Sequence, residues 1–275
     1  MLKKILVIKL LISIFIIQCA SGDASRKDAH EREAEILREL KLGKAIALKI
    51  VQQYPLLKDT QATEYVNKVG KSVALFAGRS DFEYYFGILD TESINAYAAP
   101  GGYVFVTKGA LLAMENEAQL AGVLAHEIAH VNLKHIIKQM PPPRDTTGIV
   151  DRIAAVLSAQ GTMVSAAMNQ VAEKAVKMLF EEGYKREDER NADISAVNYI
   201  AATGYPANAL PVFLGILSAE TAKKGKKHVY NTHPSPEERI GYINSEISSE
   251  NLPVNGSDAK KRFIKNTAHL KKIKS

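Results

Sequence analysis

The stretch VLAHEIAHVNLKH, Val123 to His135, carries His126, Glu127 and His130 in the pattern H-E-x-x-H. On a helix, residues four apart share a face, so His126 and His130 can bring two imidazoles to one point. Glu127 lies one position round the helix and reaches the same space without joining that row. Two readings compete: a zinc site, or an ordinary amphipathic helix with two histidines. A five-residue pattern arises by chance often enough that the rest of the chain has to choose.

Zinc suits such a pair because it is Lewis acidic, has no redox chemistry and accepts three protein ligands plus water. It brings the pKa of that water to roughly 7. Glu127 could then take the water proton and later deliver it to a leaving amine. A third ligand is needed. The continuation H-E-x-x-H-x-x-G-x-x-H fails, because Leu133 and Ile136 stand where Gly and His would be. His135 is one residue out of that register and reads as a solvated or capping histidine. The other source is a carboxylate on a later helix. YKREDERNADISAVNYI, Tyr184 to Ile200, supplies Glu189 and Asp193, four apart on one face. Glu189 could complete the tripod. Asp193 could accept the free ring N–H of a ligand histidine and fix its tautomer. Glu187 and Asp188 sit nearer the helix start, where they favour its dipole.

The 275 residues suffice for one large domain or two small ones. With 46% hydrophobic and 24% charged residues, the composition is that of a globular protein. The net charge is +6, but Lys3, Lys4 and Lys9 account for three of the 36 basic residues, leaving 33 against 30 acidic ones. No basic-aromatic platform accompanies this mild excess, so no nucleic-acid partner is expected. Residues 251–275, ending in KKRFIKNTAHLKKIKS, read as a solvated basic tail.

Residues 1–22 read as an export signal: Lys3 and Lys4, then the apolar run Ile5 to Ile17. That run is shorter than the about 20 residues of a membrane span. Ile16-Ile17-Gln18-Cys19 resembles a bacterial lipobox, with Cys19 as the lipidated residue and Gln18 as a departure from the usual small residue. Ordinary cleavage near ASGDA, Ala20 to Ala24, is the alternative. Cys19 is the sole cysteine, so the mature domain holds no internal disulfide and depends on its core or on a metal.

Residues 23–34 read as a flexible leash and 35–250 as one domain. Helices are expected over 34–53, 60–76, 115–139, 149–182, 187–203 and 207–223, and after Ser235-Pro236, where Ser235 and Glu238 form a capping box. Residues 82–107 change to short aromatic and β-branched segments, read as three largely antiparallel strands. Pro100-Gly101-Gly102 reads as a tight turn, and Gly101 and Gly102 serve either that turn alone or the close approach of a substrate. The fold class is therefore α+β, mainly α, with a small sheet beside the metal-binding helix.

At this point the chain resembles a known family, the HtpX and CaaX-prenyl-endopeptidase group of gluzincin metallopeptidases, peptidase family M-48. NAYAAPGGYVFVTKGAL resembles the strand-turn-strand before its metal helix, LAGVLAHEIAHV the metal helix, REDERNAD the third-ligand segment, and THPSPEERI its His-Pro loop. The resemblance covers about residues 35–250 and is nearest to the exported bacterial members, including periplasm-facing lipoproteins. It implies a zincin-like domain holding one zinc ion on His126, His130 and Glu189, with Glu127 as general base and acid and Asp193 behind a ligand. It also implies that His233 and Arg239 face the cleft, able to stabilise an oxyanion. In some exported members the loop histidine approaches the metal and holds the enzyme shut, a regulatory role that falls to His233. The strand Tyr103–Thr107, with Asn95, Ala96, Tyr97 and Ala98 beside it, would offer Tyr103 and Val104 as a cleft edge, and Gly101 and Gly102 as a close approach, to an extended peptide. The expected function is a zinc endopeptidase of unfolded or misassembled envelope proteins, anchored on the periplasmic face through a lipid on Cys19. The alternative is a zinc-supported chaperone or assembly factor with little turnover.

Overall fold

A computed structural model describes residues 29–141, 166–224 and 233–272. The export signal, Cys19 and the first part of the 149–182 stretch lie outside the described residues. The first helix, α1, runs over 29–53 and stops at Tyr54-Pro55. It already covers residues 29–34, so that part of the expected leash is helical; Ala, Glu and Arg in HEREAE are good helix formers. Next comes α2 (Thr60–Ala74), whose N-cap Asp59 accepts from the amide of Ala62. Strands β1 (Tyr85–Leu89), β2 (Ala96–Ala99) and β3 (Tyr103–Thr107) follow. The helices after them are α3 (Lys108–Ala113), α4 (Glu117–Asn132), α5 (His135–Gln139) and α6 (Ala166–Lys177). A π-type turn at Met178–Glu182 leads to α7 (Arg186–Ala202), α8 (Ala209–Lys224), α9 (Pro236–Ser249) and α10 (Lys260–Thr267). Among the described residues no helix is long and apolar enough to cross a membrane.

The sheet has the order β1-β3-β2. Strands β2 and β3 pair antiparallel across the Pro100-Gly101-Gly102 turn, but β1 pairs parallel to β3, so the sheet is mixed rather than largely antiparallel. The reason is that β2 is the connection: the chain leaves β1, forms the far edge as β2, and returns through the middle as β3. Gly101 and Gly102 take φ of 75° and 88°. A Cβ on Gly101 would meet Leu40 of α1 at 3.0 Å, and one on Gly102 would meet the carbonyl oxygen of Glu83 at 2.5 Å. Both glycines are thus required by the turn and its packing.

Side chains alternate across the sheet into two apolar clusters. Phe86, Ile88, Ala98, Val104 and Val106 face a cluster built with α2, α4, α7, α8, α9 and α10. Leu89, Tyr97, Ala99 and Phe105 face a second, closed by α1, Ile136 and α6. With both faces covered, the strands are apolar throughout. Helix α4 lies inside the first cluster, and only Val123 and Asn132 of its side chains are partly exposed. It ends at Leu133 and does not reach Gln139, because Lys134 takes a left-handed φ of 56°. The chain turns there, and α5 comes back against the core.

The segment read as a solvated basic tail is part of the domain. Phe263 is 3% exposed and Leu270 fully buried. The carbonyl of Asp258 accepts from the amides of Glu117 and Ala118 at 3.1 and 3.2 Å, supplying the N-terminus of α4 with partners for two donors that the helix itself leaves open. Apolar residues at 263 and 270 turn one side of this charged stretch inward, while its lysines stay outside.

Candidate metal centre

Three polar side chains in the middle of a buried helix need compensation. His126, Glu127 and His130 are 4, 3 and 2% exposed on α4, and Glu189 of the adjacent α7 is fully buried against them. The Nε2 atoms of His126 and His130 stand 3.0 Å apart. Glu189 Oε1 is 3.4 Å from His130 Nε2, and Oε2 is 3.7 Å from His126 Nε2. A tetrahedral shell with bonds of 2.0–2.1 Å sets its ligand atoms roughly 3.3 Å apart. The observed separations fall on either side of that value. Glu189 Oε1 is buried and makes no hydrogen bond among the described residues, an orphan that a cation would satisfy. Two imidazole nitrogens and a carboxylate oxygen, all within 4.8 Å of one another, therefore fit a divalent metal with a fourth position left open.

Each member has partners behind it. His126 Nδ1 lies 2.8 Å from Asp193 Oδ1, one turn along α7 from Glu189. Arg239 and Tyr242 of α9 donate to Asp193: Arg239 Nε at 2.8 Å, Nη2 at 2.7 Å and the Tyr242 hydroxyl at 2.6 Å. Burial alone would raise the Asp193 carboxyl, but the charge and hydrogen bonds of Arg239 and His126 hold it well below its usual range. Burial likewise opposes ionisation of Glu189, and the charge and hydrogen bond of His233, with the imidazoles of His130 and His126 close by, outweigh it and hold that carboxyl well below its usual range. Burial pushes His130 towards the neutral form, the one that ligates a metal.

The loop ahead of α9 brings His233 to the centre, with Nδ1 2.7 Å from Glu189 Oε2. Arg239 is 3% exposed and spends two donors on Asp193, and with His233 it also lines the cleft beside His126 and Glu127. A cleft of about 410 Å³ opens beside His126 and Glu127, lined on one side by Asn95 and Ala96 and on another by Leu210, Phe213, Leu214 and Leu217. Tyr97 faces Phe180 in the second cluster, 4.6 Å between ring centroids. Tyr103 and Val104 are on the central strand, where both neighbours already hold the backbone; the strand on the cleft side is β2. Cys19 lies outside the described residues.

Three neighbours were not expected. His135 is 2% exposed rather than solvated, its Nδ1 2.8 Å from His130 Nδ1. Burial, together with the charges of His130 and Lys138, pushes its imidazole down to about 3. Tyr184 stacks on the His130 ring, 4.0 Å between centroids at 19°. Tyr242 completes the Asp193 cluster. Only His135 carried a signal in the sequence, and the left-handed turn at Lys134 concealed it.

The model of peptidase family M48 matches residues 60–247. The chain is 26% identical over 252 residues to the beta-barrel assembly-enhancing protease of Escherichia coli strain K12, covering 87% of this chain and 51% of that protein. It is 28% identical over 197 residues to the mitochondrial metalloendopeptidase OMA1 of Schizosaccharomyces pombe, covering 71% and 56%. It is 26% identical over 159 residues to the metalloprotease YcaL of Escherichia coli strain K12, covering 58% and 60%. The chain spans about half the length of the curated relatives it matches.

Proposed function

The chain belongs to peptidase family M48, and from that premise we propose that it is a zinc-dependent endopeptidase of unfolded or misassembled envelope proteins. The observation that carries this reading is Glu127 lying on the same cleft wall as His126, one residue from the convergent ligand set. A scaffold would need the three ligands but no carboxylate beside them. Zinc fits two imidazoles and one carboxylate, and when bound it supplies a Lewis acid that acidifies water and polarises a carbonyl. His126, His130 and Glu189 would hold it. Glu127 would take the water proton on its carboxylate and pass it to the nitrogen of the leaving amine. Asp193, clamped by Arg239, would keep the His126 proton on Nδ1 and its Nε2 free.

The placement of β2 supports an extended substrate. It is an edge strand among the described strands, and the chain at Asn95 and Ala96 lines the cleft. A peptide adding to that edge is held by its backbone with little demand on sequence, which only an unfolded segment can offer. The apolar wall from α8 would take a neighbouring side chain. Export, the periplasmic face and a lipid anchor on Cys19 belong to the same reading. They draw on the apolar N-terminal run and on the likeness to a beta-barrel assembly-enhancing protease. Cys19→Ala should move the protein from the membrane to the soluble fraction; unaltered fractionation refutes the anchor.

The deciding experiment is cleavage of an unfolded protein by the zinc-loaded chain beside Glu127→Gln. The variant should keep zinc and fold and lose at least about 10²-fold in rate. Equal rates would refute the mechanism. Absence of cleavage by either, with zinc bound and His233→Ala equally inert, would favour the assembly-factor reading.

A further inference from the structure

The two ligand histidines are held from behind by different chemistry. His126 has a carboxylate on its Nδ1; His130 has another imidazole, that of His135, at 2.8 Å. With Nε2 of His130 turned to the metal position, its single proton is on Nδ1, which can then only donate. Nδ1 of His135 must therefore be the acceptor, and His135 must carry its own proton on Nε2. That nitrogen faces Asp188, 3.6 Å from Oδ1, and the other oxygen of Asp188 accepts from Gln139 Nε2 at 2.7 Å. Each tautomer along the line follows from the one before. On an unbroken helix, five residues separate the two rings by about 140°. The left-handed Lys134 is what swings His135 back to His130.

We propose that His135 is a positioning residue for the metal centre: it fixes the tautomer and orientation of His130, while the nearby Asp188 carboxylate, held by Gln139, favours the His135 proton on Nε2 through its charge. Tyr184, stacked on the other side of the His130 ring, limits the remaining freedom of its plane. The inference rests on the metal reading above. It gives Asp188 a role beyond favouring the helix dipole, and α5 a role beyond closing the second cluster.

The test is zinc affinity of the full chain, by competition with a chromophoric chelator, for wild type, His135→Leu and His135→Asn. The Leu variant keeps volume without an acceptor; the Asn variant places an amide oxygen near the position of Nδ1. We expect the Leu variant to bind about 10- to 100-fold more weakly, and the Asn variant to recover most of that loss. In the cobalt-substituted proteins, the visible bands should shift for Leu and return towards wild type for Asn. The thermal midpoint of each metal-free protein checks the fold. Equal affinity in all three, or Asn as weak as Leu, overturns the proposal. Asp188→Asn, which leaves His135 in place, gives a second reading should the Leu variant fail to fold: a few-fold loss is expected, and none overturns the relay. Wild type without stoichiometric zinc would overturn the metal reading itself, a separate result.

Discussion

Arg239 grips Asp193 with two parallel hydrogen bonds, Nε to Oδ2 at 2.8 Å and Nη2 to Oδ1 at 2.7 Å, with both side chains buried. The fork geometry is specific to arginine and matches a carboxylate edge to edge. Removing the cation leaves a buried charge without its partner, which costs about 3–5 kcal/mol. Arg239→Leu should therefore lower the stability of the metal-free protein by about that amount in a denaturant titration. Arg239→Lys should recover little of it, since an ammonium cannot make both bonds. A loss below about 1 kcal/mol, the usual scale of an exposed pair, would mean the contact is not maintained in solution.

Glu189→Ala removes the one carboxylate of the ligand set. An outer partner is worth 10–100-fold in metal affinity, and a ligand should exceed that. Chelator competition measures it directly. Unchanged affinity would mean that Glu189 does not ligate the metal.

His233 occupies the flank of the third ligand, with Nδ1 2.7 Å from Glu189 Oε2. On the endopeptidase reading, a side chain held there, on the cleft wall, would obstruct the approach of a substrate carbonyl. His233→Ala should keep stoichiometric zinc and cleave a quenched peptide faster than wild type. A fall of about 10²-fold or more, the scale of a lost oxyanion donor, would instead assign His233 to the reaction.

Glu117 predicts an acid limb in stability. Burial would raise its carboxyl, but hydrogen bonds from Arg262, Tyr205 and Tyr65, with the Arg262 charge, hold it below its ordinary value. A depressed folded pKa contributes stability in full above the unfolded value of about 4.3. That contribution is lost as the pH falls through the folded value. Glu117→Gln should thus be less stable than wild type at pH 7, with the gap narrowing on acidification. Denaturation midpoints between pH 7 and 3 check this; a gap independent of pH would remove Glu117 from the account.

His126 with His130, and Glu189 with Asp193, were legible because helical spacing puts each pair on one face, with Glu127 one position round from the first pair. The helix borders were legible where Pro55, Ser235 and Gly204 punctuate them. Pairing direction was not: Tyr85–Leu89 looks the same whether its neighbour runs parallel or antiparallel, and only the route through β2 decides. Arg239 lines the cleft as its spacing from His233 implies, but its grip on Asp193 was not legible, because spacing shows neither that Asp193 lies within its reach nor that both are buried. His135 was misread for one dihedral angle, at Lys134, a residue with no special preference for the left-handed region. The tail was misread because its lysines outnumber its two buried apolar residues, although position, not number, determines packing.

Asp258 adds to the Asn116 cap on α4, and the charge on Glu117 is met by Arg262, 145 residues later in the chain. Contacts of such separation close late, because the loop between them must be ordered first. A ribosome adding residues in order completes His126, His130 and Glu189 well before it reaches Arg262. Until synthesis has passed that residue, the first turn of the helix that carries the ligands has its Asn116 cap but not its Asp258 and Arg262 partners. A chain stopped short of it would contain every ligand and still lack the clasp that holds their helix in register. On the endopeptidase reading, competence would wait on Arg262 as well as on the ligands themselves.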